Sequence, residues 1–182
     1  MTLRSMARYD QDLRDWDLIL WTLLHQYASE APHLAASAFN ITEASAHTIA
    51  RMPRSMLEKL ASGTVSSFRP VIAEEEALEL MQAPLSPMEL LSGIESTSTF
   101  DARYWMLLSK SALSSPASAA MRYGVSIPVA EMTRHCSSTQ LMRLASELQA
   151  PFTLRFPTSV LDVLGDDIHG ALTQKMAYCL QN

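Results

Sequence analysis

The chain writes LEKLAS at Leu57–Ser62 and LMRLAS at Leu141–Ser146. Leu, Ala and Ser are common residues, so the echo gains weight only if its surroundings agree. Carried backwards at the same offset of 84 residues, they do agree. Trp21 falls on Trp105, Leu23 on Leu107, Leu24 on Leu108 and Ala28 on Ala112. Pro32 falls on Pro116, Ala35–Ala36 on Ala119–Ala120, Phe39 on Tyr123, Ile41 on Val125 and Thr42 on Ser126. Lys59 meets Arg143 inside the hexapeptides. Past Ser62 a two-residue shift restores the register and sets Phe68–Arg69 on Leu154–Arg155. Trp and Pro in register outweigh any match of Leu and Ala, and the chain reads as a tandem repeat.

Each copy carries the same order of elements. An apolar helix comes first, over Asp17–Ser29 and Asp101–Ser114, with Asp17 and Asp101 at its positive end. Pro32 and Pro116 suit the first turn of a second helix, Pro32–Ala38 and Pro116–Arg122. Thr42 and Ser126 are natural N-caps for a third. That third helix pairs with a fourth in each copy: Thr42–Arg51 with Arg54–Ser62, and Ser126–His135 with Thr139–Leu148. Ile49, Met52, Met56 and Leu60 recur at helical spacing and predict a shared core face. A strand-like piece bounded by Pro comes next, VSSFRPV and FTLRFP, and a closing helix ends each copy, Ala73–Gln82 and Asp167–Leu180. The expected organisation is a first unit over 1–83, a connector over 84–99 and a second unit over 100–182. In the connector, SPME at Ser86–Glu89 reads as a capping box. The Ser/Thr cluster Ser92–Thr99 marks the flexible boundary.

Composition agrees with an all-α fold. The 182 residues are 48% hydrophobic and 18% charged, with only five Gly. The net charge of −5 weighs against a stand-alone protein that grips phosphates, though not against a subunit whose partner supplies the basic surface. Cys136 and Cys179 form no C-x-x-C pair, which predicts no zinc ribbon, and two unpatterned thiols fit the cytoplasm. The start lacks an apolar signal core. The run Leu18–Leu24 is far short of the roughly 20 residues that span a bilayer, so no membrane role is expected.

The block Phe39–Pro70, FNITEASAHTIARMPRSMLEKLASGTVSSFRP, resembles the FlhD family, the helical subunit of bacterial FlhD–FlhC transcription activators. The shared pattern is a Gly/Asn–Ile–polar–Glu turn, an Ala-rich helix, a break, a Met–x–Lys–Leu–Ala helix and then Phe–Arg. The block from Tyr123 to Pro157 is similar but carries Ile127 in place of the Glu. FlhD-type chains are about one unit long, so the resemblance implies two FlhD-like units packed as an internal pseudo-dimer. The cysteine that links two chains in that family is replaced by Ser66 and Phe152, so no such disulfide is expected. What the resemblance further implies is an FlhC-like protein subunit as partner. Zinc is expected only in that partner, and promoter DNA is reached through the complex, with RNA polymerase as a further contact. The sequence resembles the longer FlhD-like chains that occur beside FlhC-like partners in activators of integrative and conjugative elements more than it resembles a flagellar regulator.

Two readings of the short helix pairs stay open. They are a packed hairpin, or a helix-turn-helix reader that contacts DNA through Arg51, Arg54, Lys59, Arg69, Arg134, Arg143 and Arg155. Arg69 and Arg155, which recur beside the strand-like piece, also suit anchoring a carboxylate or a partner. The histidines show no ligand spacing, and there is no G-x-S-x-G elbow or Gly-rich phosphate loop. An enzyme is not expected. The function expected is an FlhD-like subunit of a heteromeric transcriptional activator. The alternative is an adaptor or anti-activator without DNA contact.

Overall fold

Asp10 starts the first helix. Its carboxylate accepts from the Leu13 N–H at 3.2 Å and caps α1, Gln11–Glu30. In this computed structural model, which describes residues 9–88, 99–164 and 167–181, α1 begins well ahead of the Asp17 boundary read from the sequence. Asp17 therefore does not serve the positive end of the helix. It lies on the buried stripe Leu13, Trp16, Asp17, Leu20, Trp21, Leu24 and Ala28, which returns every three or four residues to one face.

Pro32 then opens α2, Pro32–Phe39, and Thr42 caps α3, Glu43–Ala50, by accepting from Ser45 N–H at 3.1 Å. Next come α4, Arg54–Leu60, and β1, Phe68–Pro70. Three glutamates start α5, Glu74–Gln82, where the helix dipole favours them. The second repeat builds α6, Thr99–Ala112; α7, Pro116–Tyr123; α8, Ile127–Thr133; and α9, Ser138–Leu148. Ser126 caps α8 as expected, and Ser137 with Gln140 forms a full capping box on α9. The chain ends with β2, Phe152–Leu154; α10, Ser159–Asp162; and α11, Ile168–Gln181. The end of the Ser86–Glu89 box at Glu89, and Ser92–Ser98 of the expected boundary, lie outside the described residues.

The repeat reaches the backbone. In both copies the second helix ends on a left-handed residue, Asn40 at φ 51° and Gly124 at φ 76°, the residue types that tolerate it best. In both, the next N–H reaches back to the same alanine: Ile41 to Ala36 O at 3.0 Å and Val125 to Ala120 O at 3.2 Å.

The described fold is helical apart from one two-stranded antiparallel ladder. It pairs Phe68 with Leu154, Arg69 with Thr153 and Pro70 with Phe152. The chain forms two compact units, one of Met1–Pro70 with Pro151–Asn182 and one of Val71–Ala150. Each draws on both repeats, because α5 joins the helices of the second repeat and α11 joins those of the first. The core of unit 1 is aromatic. Trp21 meets Phe68 edge-on at 5.0 Å, and Trp16 meets Phe152 at 5.3 Å. Unit 2 packs α6 on α7, α8 and α9, with α5 laid against α8 and α9. Its centre holds Trp105, Tyr104 and Tyr123, and the Tyr104 hydroxyl donates to Tyr123 O at 3.0 Å.

Candidate functional site

The seven cations proposed from the sequence divide by environment. In unit 1, Arg51 follows α3, Arg54 and Lys59 lie on α4, and Arg69 lies in β1. Arg51, Arg54, Lys59 and Arg69 are all exposed. On α4 the residues Arg54, Ser55, Glu58 and Lys59 occupy the half-turn away from the buried Leu57 and Leu60. Arg54 pairs with Glu58 at 3.2 Å. In unit 2, Arg134 is half-buried beside Glu131 at 3.3 Å.

Arg143 and Arg155 depart from the DNA-contact expectation. Arg143 is 6% exposed and donates to the carbonyls of Leu80 (2.6 Å), Ala83 (2.7 Å) and Pro84 (3.1 Å). These carbonyls lie at the C-terminal end of α5, where helical geometry leaves oxygens open and negative. Arg155 is 3% exposed and donates to Ser66 O at 3.2 Å and to Cys179 O in the last turn of α11. Both guanidiniums are committed to backbone oxygens inside their own unit, so neither presents a surface to a phosphate. The repeat partners behave differently. Lys59 and Arg69 reach solvent, while Arg143 and Arg155 hold helix ends.

Beneath the surface of unit 1 lies a polar cluster built from distant parts of the chain. Asp17 on α1 accepts from the Ser67 N–H at 2.7 Å, from the Ser67 hydroxyl at 2.6 Å and from the Ser66 hydroxyl at 3.4 Å. The Trp21 indole donates to the Ser67 oxygen at 3.0 Å. Lys175 on α11 brings its ammonium to 4.0 Å from Asp17 Oδ2 and donates to Leu60 O. Asp17 and Lys175 are both enclosed. Burial pushes the Asp17 carboxyl up, against the opposing pull of Lys175 and the Ser67 donors. Burial likewise pulls Lys175 down, against the attraction of Asp17, and raises the Cys179 thiol. Every member is spoken for within the core, an arrangement suited to holding segments together. Nothing in it opens to a substrate.

The sequence carried a signal for this cluster. Asp17 falls on the same helical stripe as Trp16, Leu20 and Trp21, and Lys175 falls between Ala171 and Cys179 at steps of four. A charge on an apolar stripe asks for a buried partner, but periodicity alone does not say which one.

Comparison with protein-family models, with curated proteins and with solved structures finds no match. Among the described residues no group of three or more His, Cys, Asp and Glu could hold a metal ion, and no helix is long and apolar enough to cross a membrane. A cleft of about 380 Å³ lies between the turn Asn40–Thr42 and β2 with the residues that follow it, and its lining is uncharged. Of the seven sequence-proposed cations, Arg51, Arg54, Lys59 and Arg69 are the exposed ones.

Proposed function

We propose that this chain is a cytoplasmic FlhD-like subunit of a heteromeric transcriptional activator. It acts beside an FlhC-like, zinc-containing partner on promoter DNA, with RNA polymerase as a further contact and a mobile conjugative element as the setting. The observation that carries the reading is the α3–α4 pair inside the FlhD-like block. Arg51, Arg54 and Lys59 of this pair, with Arg69 on β1 just beyond it, reach solvent in a chain whose net charge is −5. A few phosphate contacts from this face, with Arg134 as an accessory, would add to a basic surface supplied by the partner.

The two repeats pair, in this reading, as an internal pseudo-dimer. The support is the register of the ladder. Phe68 lies opposite Leu154, its own repeat equivalent, and antiparallel pairing centred on equivalent residues is what a two-fold relation produces. One chain would then replace two, with a high effective concentration of the second copy.

The test is promoter binding by the complex with its FlhC-like neighbour across a salt series. Replacing Arg51, Arg54, Lys59 and Arg69 by Ala should weaken binding at low salt. The slope of log K against log salt should flatten by about one unit for each phosphate no longer neutralised. If the complex does not form, the activator reading fails. A second reading, an adaptor or anti-activator, draws on the ion pairs Arg54–Glu58 and Arg134–Glu131, which partly neutralise two of these cations at the surface. It would be upheld if adding this chain abolished DNA binding by the partner.

A further inference from the structure

The two closing helices present the same inward pattern. Helix α5 buries Ala77 and Met81, whereas α11 buries Ala171, Lys175 and Cys179. Aligned on their buried alanines, Met81 and Lys175 occupy one position, four residues further on. Hydrophobic burial discriminates poorly between two such helices. Each follows a strand of the same ladder, yet α5 belongs to unit 2 and α11 to unit 1.

We infer that the Asp17–Lys175 pair sorts the closing helices, reserving the seat in unit 1 for α11 and barring α5 from it. With α5 in that seat, the Met81 thioether would face Asp17, leaving the enclosed carboxylate without a cation and Leu60 O without its ammonium donor. Unit 2 carries the complementary lock. Arg143 reads the open carbonyls of Leu80 and Ala83, which exist because α5 stops at Gln82. The matching positions of α11, Gln174 and Ala177, lie inside a helix that runs on to Gln181, where the helical ladder uses such oxygens. Burial works against both charges, so the pair is a weak source of net stability, while either group without the other is costly. The inference does not depend on what the chain binds.

The experiment uses the full chain and its three Trp indole N–H signals. The Trp21 indole donates to Ser67, the direct neighbour of Asp17, so it reports which helix is seated. Trp105 in unit 2 is the internal reference. Wild type should give one signal per Trp. Asp17→Asn with Lys175→Met keeps an acceptor for the Ser67 N–H and removes both charges. It should split the Trp21 signal into two populations, by exchange within a chain or between chains, the latter seen as a dimer in light scattering. Met81→Lys gives both helices a lysine and should split the same signal while leaving Asp17 and Lys175 intact. A single Trp21 signal in both variants overturns the inference. Loss of all dispersed indole signals in the double variant also overturns it, because the pair would then be needed to fold the unit and not to choose its helix.

Discussion

Lys59 and Arg143 stand at matching places in the repeat, yet one reaches solvent and the other holds three carbonyls. Removing Arg143 leaves those oxygens enclosed, so Arg143→Met should cost unit 2 about 2–4 kcal/mol in urea unfolding. Lys59→Met should stay within about 0.5 kcal/mol. Equal costs would mean that the two positions share an environment. For the buried pair, Asp17→Asn or Lys175→Met alone should lose about 3–5 kcal/mol, because each strands a charge. The double variant should lose less than the worse single, which a double-mutant cycle measures as coupling. The pH dependence has a defined sign. The raised Asp17 contributes stability that is full below the ordinary carboxylate range and is lost as pH rises through its folded value. The lowered Lys175 contributes stability that is full above the ordinary amine range and is lost as pH falls through its folded value. The stability of wild type relative to the uncharged double variant should therefore be lowest at mid pH and rise toward acid and alkali. Urea midpoints across pH check this, and a maximum at mid pH would refute it.

At the scale of elements, the caps carry the repeat. Thr42 and Ser126 each close the start of a short helix by accepting from the residue three further on. Changing either to Ala should cost about 1 kcal/mol, and the two losses should add, since they belong to different units. Non-additivity would reveal coupling between the repeats. These elements are legible in the sequence because caps, helix-opening prolines and apolar stripes are local signals. Thr42, Ser126, Pro32, Pro116 and both strand-like pieces stand where those signals put them. The start of α1 misleads because Asp17 resembles a helix-start carboxylate, and only its distant partners Ser66, Ser67 and Lys175 explain it. The candidate site is less legible for the same reason. Arginine on a helix looks alike in sequence whether it faces water or a neighbouring helix end. Arg143 and Arg155 are told from Arg51 and Arg69 only by long-range packing.

For the molecule as a whole, the two compact units differ in how they are threaded. Unit 2 is one uninterrupted stretch, Val71–Ala150, whereas unit 1 is split by it into Met1–Pro70 and Pro151–Asn182. This has a consequence for the order of assembly. A ribosome delivers every residue of unit 2 before β2 exists, and β1 must wait through that whole interval for the strand that pairs with it. Trp16 and Phe68 also wait, since the ring that meets Trp16 is Phe152 and the strand opposite Phe68 is β2. Pairings between residues so far apart are slow to close. Nascent chains stalled after Ala150 and far enough along to clear the exit tunnel should already protect α6–α9 from amide exchange, while α1 remains open. Protection of α1 should arrive only once α11 has emerged, which makes the last fourteen-residue helix the step that completes a unit begun at the first.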